Sequence, residues 1–522
     1  MTQSGPGERT GFLETDWTSL MGRDATKTPP LGLLLDPASR VALHRQIGEQ
    51  LRSAILERRL APGAHLPSSR LLARELGCAR GTVLLALDQM VAEGYVVSTP
   101  GSGVSVASDL PDDLLTPPTV RTGQHQVVAP PPRLSQRAEA QLAICSRPGS
   151  GSGGAPPTAF ALGRPAPDAF PFPLWAKLLE AEWHRPAQDI AASPHPFGHA
   201  GLRRAIAAYL GAARGFACAA AEVVVTSGVR QSVALLGRLL LDPGETAWVE
   251  EPGFPGTREA LRAAGARPVP VPVDAFGFSP EAAQALAPEA RLAVVAPAHH
   301  YPLGAVLSLQ RRLALLAWAE RAGGWIIEDD YDGEYRYAGR PLAPLRALDR
   351  AGRVAYVGSF SKLLFPSLRL SYLALPSALV DAAERLLVAS GPAGASLLGQ
   401  GALARFIDDG HFAAHLRRTR RLYAERQEVL VAAARRHLAG LLDMPPDPGG
   451  MHLVARPRPA CAEGFDDRSV AEAAARVGVS VAPLSACCLA EPATQGLLLG
   501  YAAVSPKDIE VAVIRLRSAL TG

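Results

Sequence analysis

The 522-residue chain is short of several things, and each shortage excludes a class of protein. No uninterrupted apolar run approaches the about 18 residues that a membrane helix needs. The opening MTQSGPGERTGFLETDW has no basic stretch leading into an apolar one, so no membrane association and a cytoplasmic location are expected. The six cysteines, Cys78, Cys145, Cys218, Cys461, Cys487 and Cys488, form no CxxC pair and follow no zinc-finger or disulfide-framework spacing, which predicts reduced thiols and no metal site. Aromatic residues make up only 6% of a chain that is 48% hydrophobic, so its apolar content is mostly Ala, Leu and Val, as in a helix-rich globular protein. Excess charge is also small: 53 basic against 49 acidic side chains give +4, too little to announce nucleic-acid binding by itself. The sharpest shortage is lysine, with only Lys27, Lys177, Lys362 and Lys507 among the basic residues. Where arginine is the default cation, a lysine needs a chemical reason.

What is present divides along the chain. Residues 1–36 are polar and punctuated by Pro and Gly, a mobile leader. From Leu43 a helical period begins, with Ile47, Leu51, Ile55 and Leu60 on about one face, and it stops at the turn Ala61–Gly63. In LPSSRLLARELGCARGTVLLALDQMVAEGYVV, Ser68 or Ser69 can cap a helix ending near Leu76 and Gly77. A second helix is predicted from about Arg80 to Glu93, with Val83, Leu87, Met90 and Val91 inward. Helix, glycine turn, helix is the layout in which the second helix can enter a major groove. The following YVVSTPGSGVSVA alternates around a glycine tip and reads as a hairpin, giving a winged helix-turn-helix over 37–107. This segment holds eight Arg against five acidic residues and is more basic than the whole. Residues 108–157, with PPTV, APPPR and RPGSGSGGAPP, have the composition of a flexible linker.

Over 158–522 short β-branched runs alternate with Ala/Leu/Arg helices, which predicts a largely parallel sheet covered on both faces. The large lobe is expected at about 195–390 and a smaller α/β lobe at about 391–522. Polar residues gather where the strands end: Thr226, Ser227 and Gly228; His299 and His300; Asp329, Asp330 and Tyr331; Ser359, Ser361 and Lys362. Ligands of such sheets bind at those ends. Desolvation would leave the Lys362 amine neutral and able to form an imine with an aldehyde. Asp329 could keep a pyridine nitrogen protonated and Tyr331 could bond a ring oxygen, although Asp329 and Asp330 could equally form a solvated turn or a metal pair. The TSG turn opening a helix offers backbone N–H groups to a phosphate, with Ser359 and Arg369 completing the cup. Together these describe a pyridoxal 5'-phosphate site.

At this point the sequence resembles a known family. LPSSRLLARELGCARGTVLLALDQMVAEGYVVSTPGSGVSV is similar to the GntR-type winged helix-turn-helix. TSGVRQSVALLGRLLLDPGETAWVEEPGFPG, IIEDDYDGEYRY and YVGSFSKLLFPSLRLSYLALP resemble the fold-type-I aminotransferase domain of MocR-type regulators. The resemblance implies an α+β winged head fused to an α/β fold-type-I transferase domain with a smaller C-terminal lobe. It implies that Lys362 forms an internal aldimine with pyridoxal phosphate, that Asp329 pairs with the pyridinium and that Tyr331 pairs with the ring O3'. Ser227, Gly228, Val229, Ser359 and Arg369 would hold the phosphate, and Phe254 would stack on the ring. In the head, Ser69 and Arg70 of PSSR, Arg80 and Thr82 would contact double-stranded operator DNA, with Gly101 to Gly103 as the wing tip; Arg80 could read a guanine or clamp a phosphate. A homodimer and a small amine or amino-acid effector are also implied.

The departures from the family pattern are specific. AHHYPLG stands where the family has SHQ(F/Y)PTG, so Leu303 replaces a small hydroxyl residue. SKLLFPSLRLSY stands for SKTLFPGLRLGY, placing Leu363, Ser367 and Ser371 near the cofactor. Ala79 sits where the recognition helix usually has a capping Ser, and LLLGYA (Leu497 to Ala502) has no Arg where amino-acid-processing relatives hold a substrate carboxylate. The leading reading is a DNA-binding regulator that senses pyridoxal phosphate or an amine. Its rivals are an active aminotransferase with a secondary DNA-binding head, and a DNA-binding protein whose large domain serves only dimerisation.

Overall fold

The computed structural model describes residues 32–39, 41–99, 103–110, 133–135, 138–139, 142, 159–186, 195–338, 343–390, 397–490 and 495–521. The expected leader and linker, and Gly101, lie almost wholly or wholly outside these residues. The chain separates into two compact units, Met1–Pro131 and Pro132–Gly522, called here the head and the body.

In the head, α1 (Leu43–Leu56) buries Ile47, Leu51, Ala54 and Ile55, the face expected from its period. The α2 helix (Ser69–Glu75) is capped by the Ser68 hydroxyl, which accepts from the Leu71 amide at 3.3 Å. Gly77, at φ +61°, supplies the left-handed turn into α3 (Arg80–Ala92). Val83, Ala86, Leu87 and Met90 face the core, whereas Val91, expected inward, is 39% exposed. One helical step of about 100° past Met90 carries it to the margin of the buried stripe. The wing is the antiparallel pair β1 (Val96–Thr99) and β2 (Gly103–Val106). Residues just after the Ala61–Gly63 turn extend it, with Leu66 N–H donating to Val104 O at 2.8 Å and Val106 N–H to Ala64 O at 2.9 Å.

The body is built on a sheet of eight strands among the described residues: β3 (Val223–Thr226), β4 (Thr246–Glu251), β5 (Arg267–Asp274), β6 (Gly277–Phe278), β7 (Leu292–Val295), β8 (Trp325–Asp330), β9 (Val354–Ser359) and β10 (Ser371–Ala374). Their spatial order is β3-β10-β9-β8-β7-β4-β5-β6. Strands β9, β8, β7, β4 and β5 are mutually parallel, as expected, but β10 runs antiparallel to both its neighbours and β6 antiparallel to β5. The segment between β9 and β10 contains only one short turn of helix, Phe360–Leu363, and a 3-10 turn, with no crossover helix to return the chain to the starting edge. Both faces are covered: Val223, Val225, Tyr356 and Tyr372 pack on one side, Val224, Ala355, Val357 and Leu373 on the other.

A second sheet, β11 (Leu442–Asp443), β12 (His452–Pro457), β13 (Ala482–Pro483) and β14 (Leu497–Gly500), has the order β11-β12-β14-β13 and is antiparallel. The 27-residue helix His411–His437 and the helix Pro506–Thr521 pack with it in one core. The incoming segment at 159–163 joins this lobe: Gly500 N–H donates to Phe160 O and Ser480 N–H to Ala159 O, both at 2.9 Å. Among the described residues no helix is long and apolar enough to cross a membrane.

Candidate cofactor site and nucleic-acid interface

The reversed strand β10 brings Ser371 opposite both Thr226 and Ser359, so the ends of β3 and β9 meet in one row. The Ser371 hydroxyl reaches Ser359 Oγ at 3.4 Å. One residue beyond β3, the Ser227 amide and hydroxyl converge on Gln231 Oε1, at 2.7 and 3.1 Å. Gly228 then starts the helix Val229–Leu240. These are donors already aimed at a single acceptor oxygen, as a phosphate subsite requires.

Past β9, the turn Phe360–Leu363 buries Phe360 and Leu363 and so presents Lys362. Leu363 O fixes the turn by accepting from the Tyr335 hydroxyl at 3.1 Å and lying 3.0 Å from His415 Nε2. Lys362 Nζ donates to Gly163 O at 3.3 Å. Gly163 is at φ +64°, a backbone conformation that favours glycine, and lies directly against the amine. Burial lowers the Lys362 pKa, although Asp329 and Asp332 pull it the other way.

In β8 the three acids part company because successive side chains take opposite faces. Glu328 is buried and accepts the Leu345 and Arg346 amides at 2.8 and 2.9 Å. Asp330 pairs with the Arg214 guanidinium and accepts from the Tyr356 hydroxyl at 2.8 Å. Asp329 alone faces the cavity, which excludes the Asp329–Asp330 metal pair left open by sequence. Burial, helped by Asp332 and opposed by Lys362, pushes Asp329 up to about 7. Behind it Glu250 is raised to about 8 by burial, against the Ala296 amide that bonds both its oxygens at 3.1 Å.

Tyr331 sits 3.1 Å from His299 Nδ1 through its hydroxyl. His299 in turn lies 3.1 Å from Asp332 Oδ2 and 3.3 Å from Asp447 Oδ1. Burial alone would lower this histidine, but the two carboxylates outweigh it and raise it to about 10, so the ring is an imidazolium linking the large lobe to the small one. Its neighbour His300 is lowered to about 3 by burial.

Lys362, Asp329, Tyr331, Ser359, Val229 and Phe254 all line one cavity of about 270 Å³. Ser227 and Gly228 adjoin it through Val229, whereas Arg369 is exposed in a left-handed conformation (φ 48°) and is not part of the wall. Of the departures, Leu303 packs in a small apolar cluster with Tyr301 and Leu162, Leu363 is core, and Ser367 is exposed. The remaining wall, Leu162, Gly163, Tyr301, Met451 and His452, includes residues that sequence reasoning missed, as it missed the Asp332 and Asp447 partners of His299. A local signal existed in the Gly449-Gly450 pair before β12: Gly450 is at φ +81° and its Cβ would meet His299 Cε1 at 2.2 Å.

In the head, the start of α2 and the start of α3 come together. Arg80 Nε donates to Ser69 Oγ at 3.2 Å, Arg70 and Arg80 are exposed, and Thr82 is half-buried in the first turn of α3. Ala79 is the N-cap of α3 and supplies no side-chain hydrogen bond. Gly103 opens β2 in the exposed part of the wing.

Comparison with known proteins agrees with both halves. Residues 43–106 match the gntR family of bacterial regulatory proteins, and residues 162–516 match the aminotransferase class I and II family. The probable rhizopine catabolism regulatory protein MocR of Rhizobium meliloti is 42% identical over 488 residues, 93% of this chain and 95% of that protein. This chain belongs to the MocR-type regulators. The pyridoxine biosynthesis transcriptional regulator PdxR of Corynebacterium glutamicum is 33% identical over 81% of this chain and 85% of its own length. Among solved structures, LysN, an α-aminoadipate aminotransferase from Thermus thermophilus, superposes with a TM-score of 0.62 at 26% identity over 74% of this chain and 95% of that one. An archaeal alanine:glyoxylate aminotransferase superposes with a TM-score of 0.65 at 24% identity, over 74% and 96%. The regulator therefore couples a GntR-type DNA-binding head to a body of a fold family that depends on pyridoxal 5'-phosphate.

Proposed function

We propose that the body holds pyridoxal 5'-phosphate at Lys362 and that the cofactor, or a small amine or amino-acid effector meeting it there, sets the affinity of a homodimer for double-stranded operator DNA. The reading takes 1–36 as leader, 37–107 as winged head, 108–157 as linker and 158–522 as body. The observation that carries it is the convergence of Lys362, Asp329 and Tyr331 on one cavity beside the Thr226–Ser371–Ser359 row. Bound there, the cofactor would supply an aldehyde and an electron-withdrawing ring. Each residue then has a separate task. Burial of the Lys362 amine favours its unprotonated, nucleophilic form, against the pull of Asp329 and Asp332. Asp329, at about 7, is matched to share a proton with a ring nitrogen. The Tyr331 hydroxyl, anchored on His299, would hold a ring oxygen. The Ser227 amide and hydroxyl, the Gly228 and Val229 amides and Ser359 would take the phosphate, with Arg369 joining from its surface loop and Phe254 covering the ring.

Such a device switches DNA binding only if the bound species favours one arrangement of the protein over another. Absorbance of the purified chain, before and after borohydride reduction, tests the cofactor. The expected result is a visible band and a cofactor mass fixed on the peptide carrying Lys362, both lost in Lys362→Ala; a wild-type chain with neither overturns the reading. A second reading, turnover as an aminotransferase, is favoured by the same buried lysine. Steady consumption of an amino donor with a keto acceptor would establish it, and intact cofactor binding without turnover would leave the regulator.

A further inference from the structure

The cavity has one wall that the cofactor residues do not account for. His452, at the start of β12, is 6% exposed and lines it. Its Nε2 lies 2.9 Å from Pro302 O. A carbonyl can only accept, so Nε2 carries the hydrogen and Nδ1 is left with a lone pair. Burial lowers this histidine, and the charge on His299, its ring centre 5.9 Å away, lowers it further, which favours the neutral ring. Nδ1 has no hydrogen-bond partner among the described residues.

A neutral acceptor at this place discriminates by chemistry. A carboxylate is acceptor-only and would face it lone pair to lone pair, whereas a hydroxyl donates to it. Among the described residues of the wall Lys362 is the one lysine or arginine. The two arginines beside Phe254 are already engaged: Arg230 pairs with Glu259 at 2.6 Å, and Arg258 donates to the carbonyls of Ala486 and Cys487 at 3.0 Å. Beyond the cofactor residues, Leu162 and Met451 add apolar wall and, among the described residues, Tyr301 is the one polar side chain besides His452.

We propose that the effector subsite takes a primary amine whose far end carries a hydroxyl and no carboxylate, and that His452 Nδ1 accepts the hydrogen bond of that hydroxyl. The proposal rests on the cavity being the cofactor site. It is tested by titrating the cofactor-loaded full chain with three matched amines, trans-4-aminocyclohexanol, trans-4-aminocyclohexanecarboxylate and cyclohexylamine, and reading apparent dissociation constants from the change in visible absorbance. The aminoalcohol is expected to bind about tenfold tighter than the other two, the size of one net hydrogen bond. His452→Leu should erase the preference. His452→Gln, whose amide can still donate to Pro302 O and accept from the ligand, should keep it. If the aminocarboxylate binds as well as the aminoalcohol or better, as it would were an arginine supplied by a second copy, the proposal is overturned. Retention of the preference in His452→Leu overturns it equally. A wild-type chain that shows no visible band with added cofactor fails at the earlier step and overturns the cofactor reading itself.

Discussion

The head and the body use charge in opposite ways. In the body the charged groups around the cavity already have partners: Arg214 has Asp330, His299 has Asp332 and Asp447, and Lys362 has the Gly163 carbonyl under the field of Asp329. In the head, Arg70 and Arg80 are exposed, and Arg80 is steadied by one neutral hydroxyl, that of Ser69. A buried site must satisfy its charges before the ligand arrives, because an unpaired charge away from water is expensive. A surface that binds a polyanion gains by leaving its cations to be neutralised by phosphates, with release of counterions. The contrast separates a preorganised pocket from an electrostatic docking face, and substitutions in the two regions should therefore fail differently.

The largest effect is expected from breaking a buried pair in the body. Arg214→Ala leaves Asp330 with a charge in a side chain that is 1% exposed, and should lower unfolding stability by about 3–5 kcal/mol. Urea denaturation measures it, and a loss under about 1 kcal/mol would mean that the body's charges are not organised as described. Next in size is His299. Its folded pKa of about 10 lies above the ordinary 6.5, so its contribution is fully present below 6.5 and is lost as pH rises through 10. The stability gap between wild type and His299→Gln should narrow over that window; a gap that widens with pH contradicts the imidazolium assignment.

In the head the expected losses are of DNA affinity. Arg80→Ala should weaken operator binding by about 1–3 kcal/mol if the guanidinium reads a base; if it clamps a phosphate, binding should weaken across sequences and the salt slope fall by about 1. Titrations at several salt concentrations distinguish the two, and an unchanged affinity and slope would remove Arg80 from the interface. The smallest effect is a gain. Ala79→Ser supplies the cap that α3 lacks and should slow hydrogen exchange of the peptide over Arg80–Ala92 by about 1 kcal/mol of protection.

The same contrast explains what could be read in the sequence. The head was legible almost to its ends because α1, α2 and α3 are set by local period, a serine cap and Gly77, and the residues proposed to meet DNA need no distant partner. Val91 is the exception, since whether a marginal residue is covered depends on packing. In the body, Lys362, Asp329 and Tyr331 stood out because strand ends collect polar residues in the order of the chain. Gly163, Asp447 and His452 did not, since each reaches the site across more than a hundred residues and its own neighbourhood reads as an ordinary turn or strand. The antiparallel course of β10, which aligns Ser359 with Thr226, follows from a connection without a crossover helix and was hidden by a composition shared with parallel strands.

The central claim is that the body's cavity governs the head's hold on DNA. The most direct test is the anisotropy of labelled DNA from upstream of this gene, titrated with wild type and Lys362→Ala, each with and without pyridoxal phosphate. A cofactor-dependent change of affinity in the wild type that vanishes in Lys362→Ala is predicted; equal affinities in all four titrations would contradict the account.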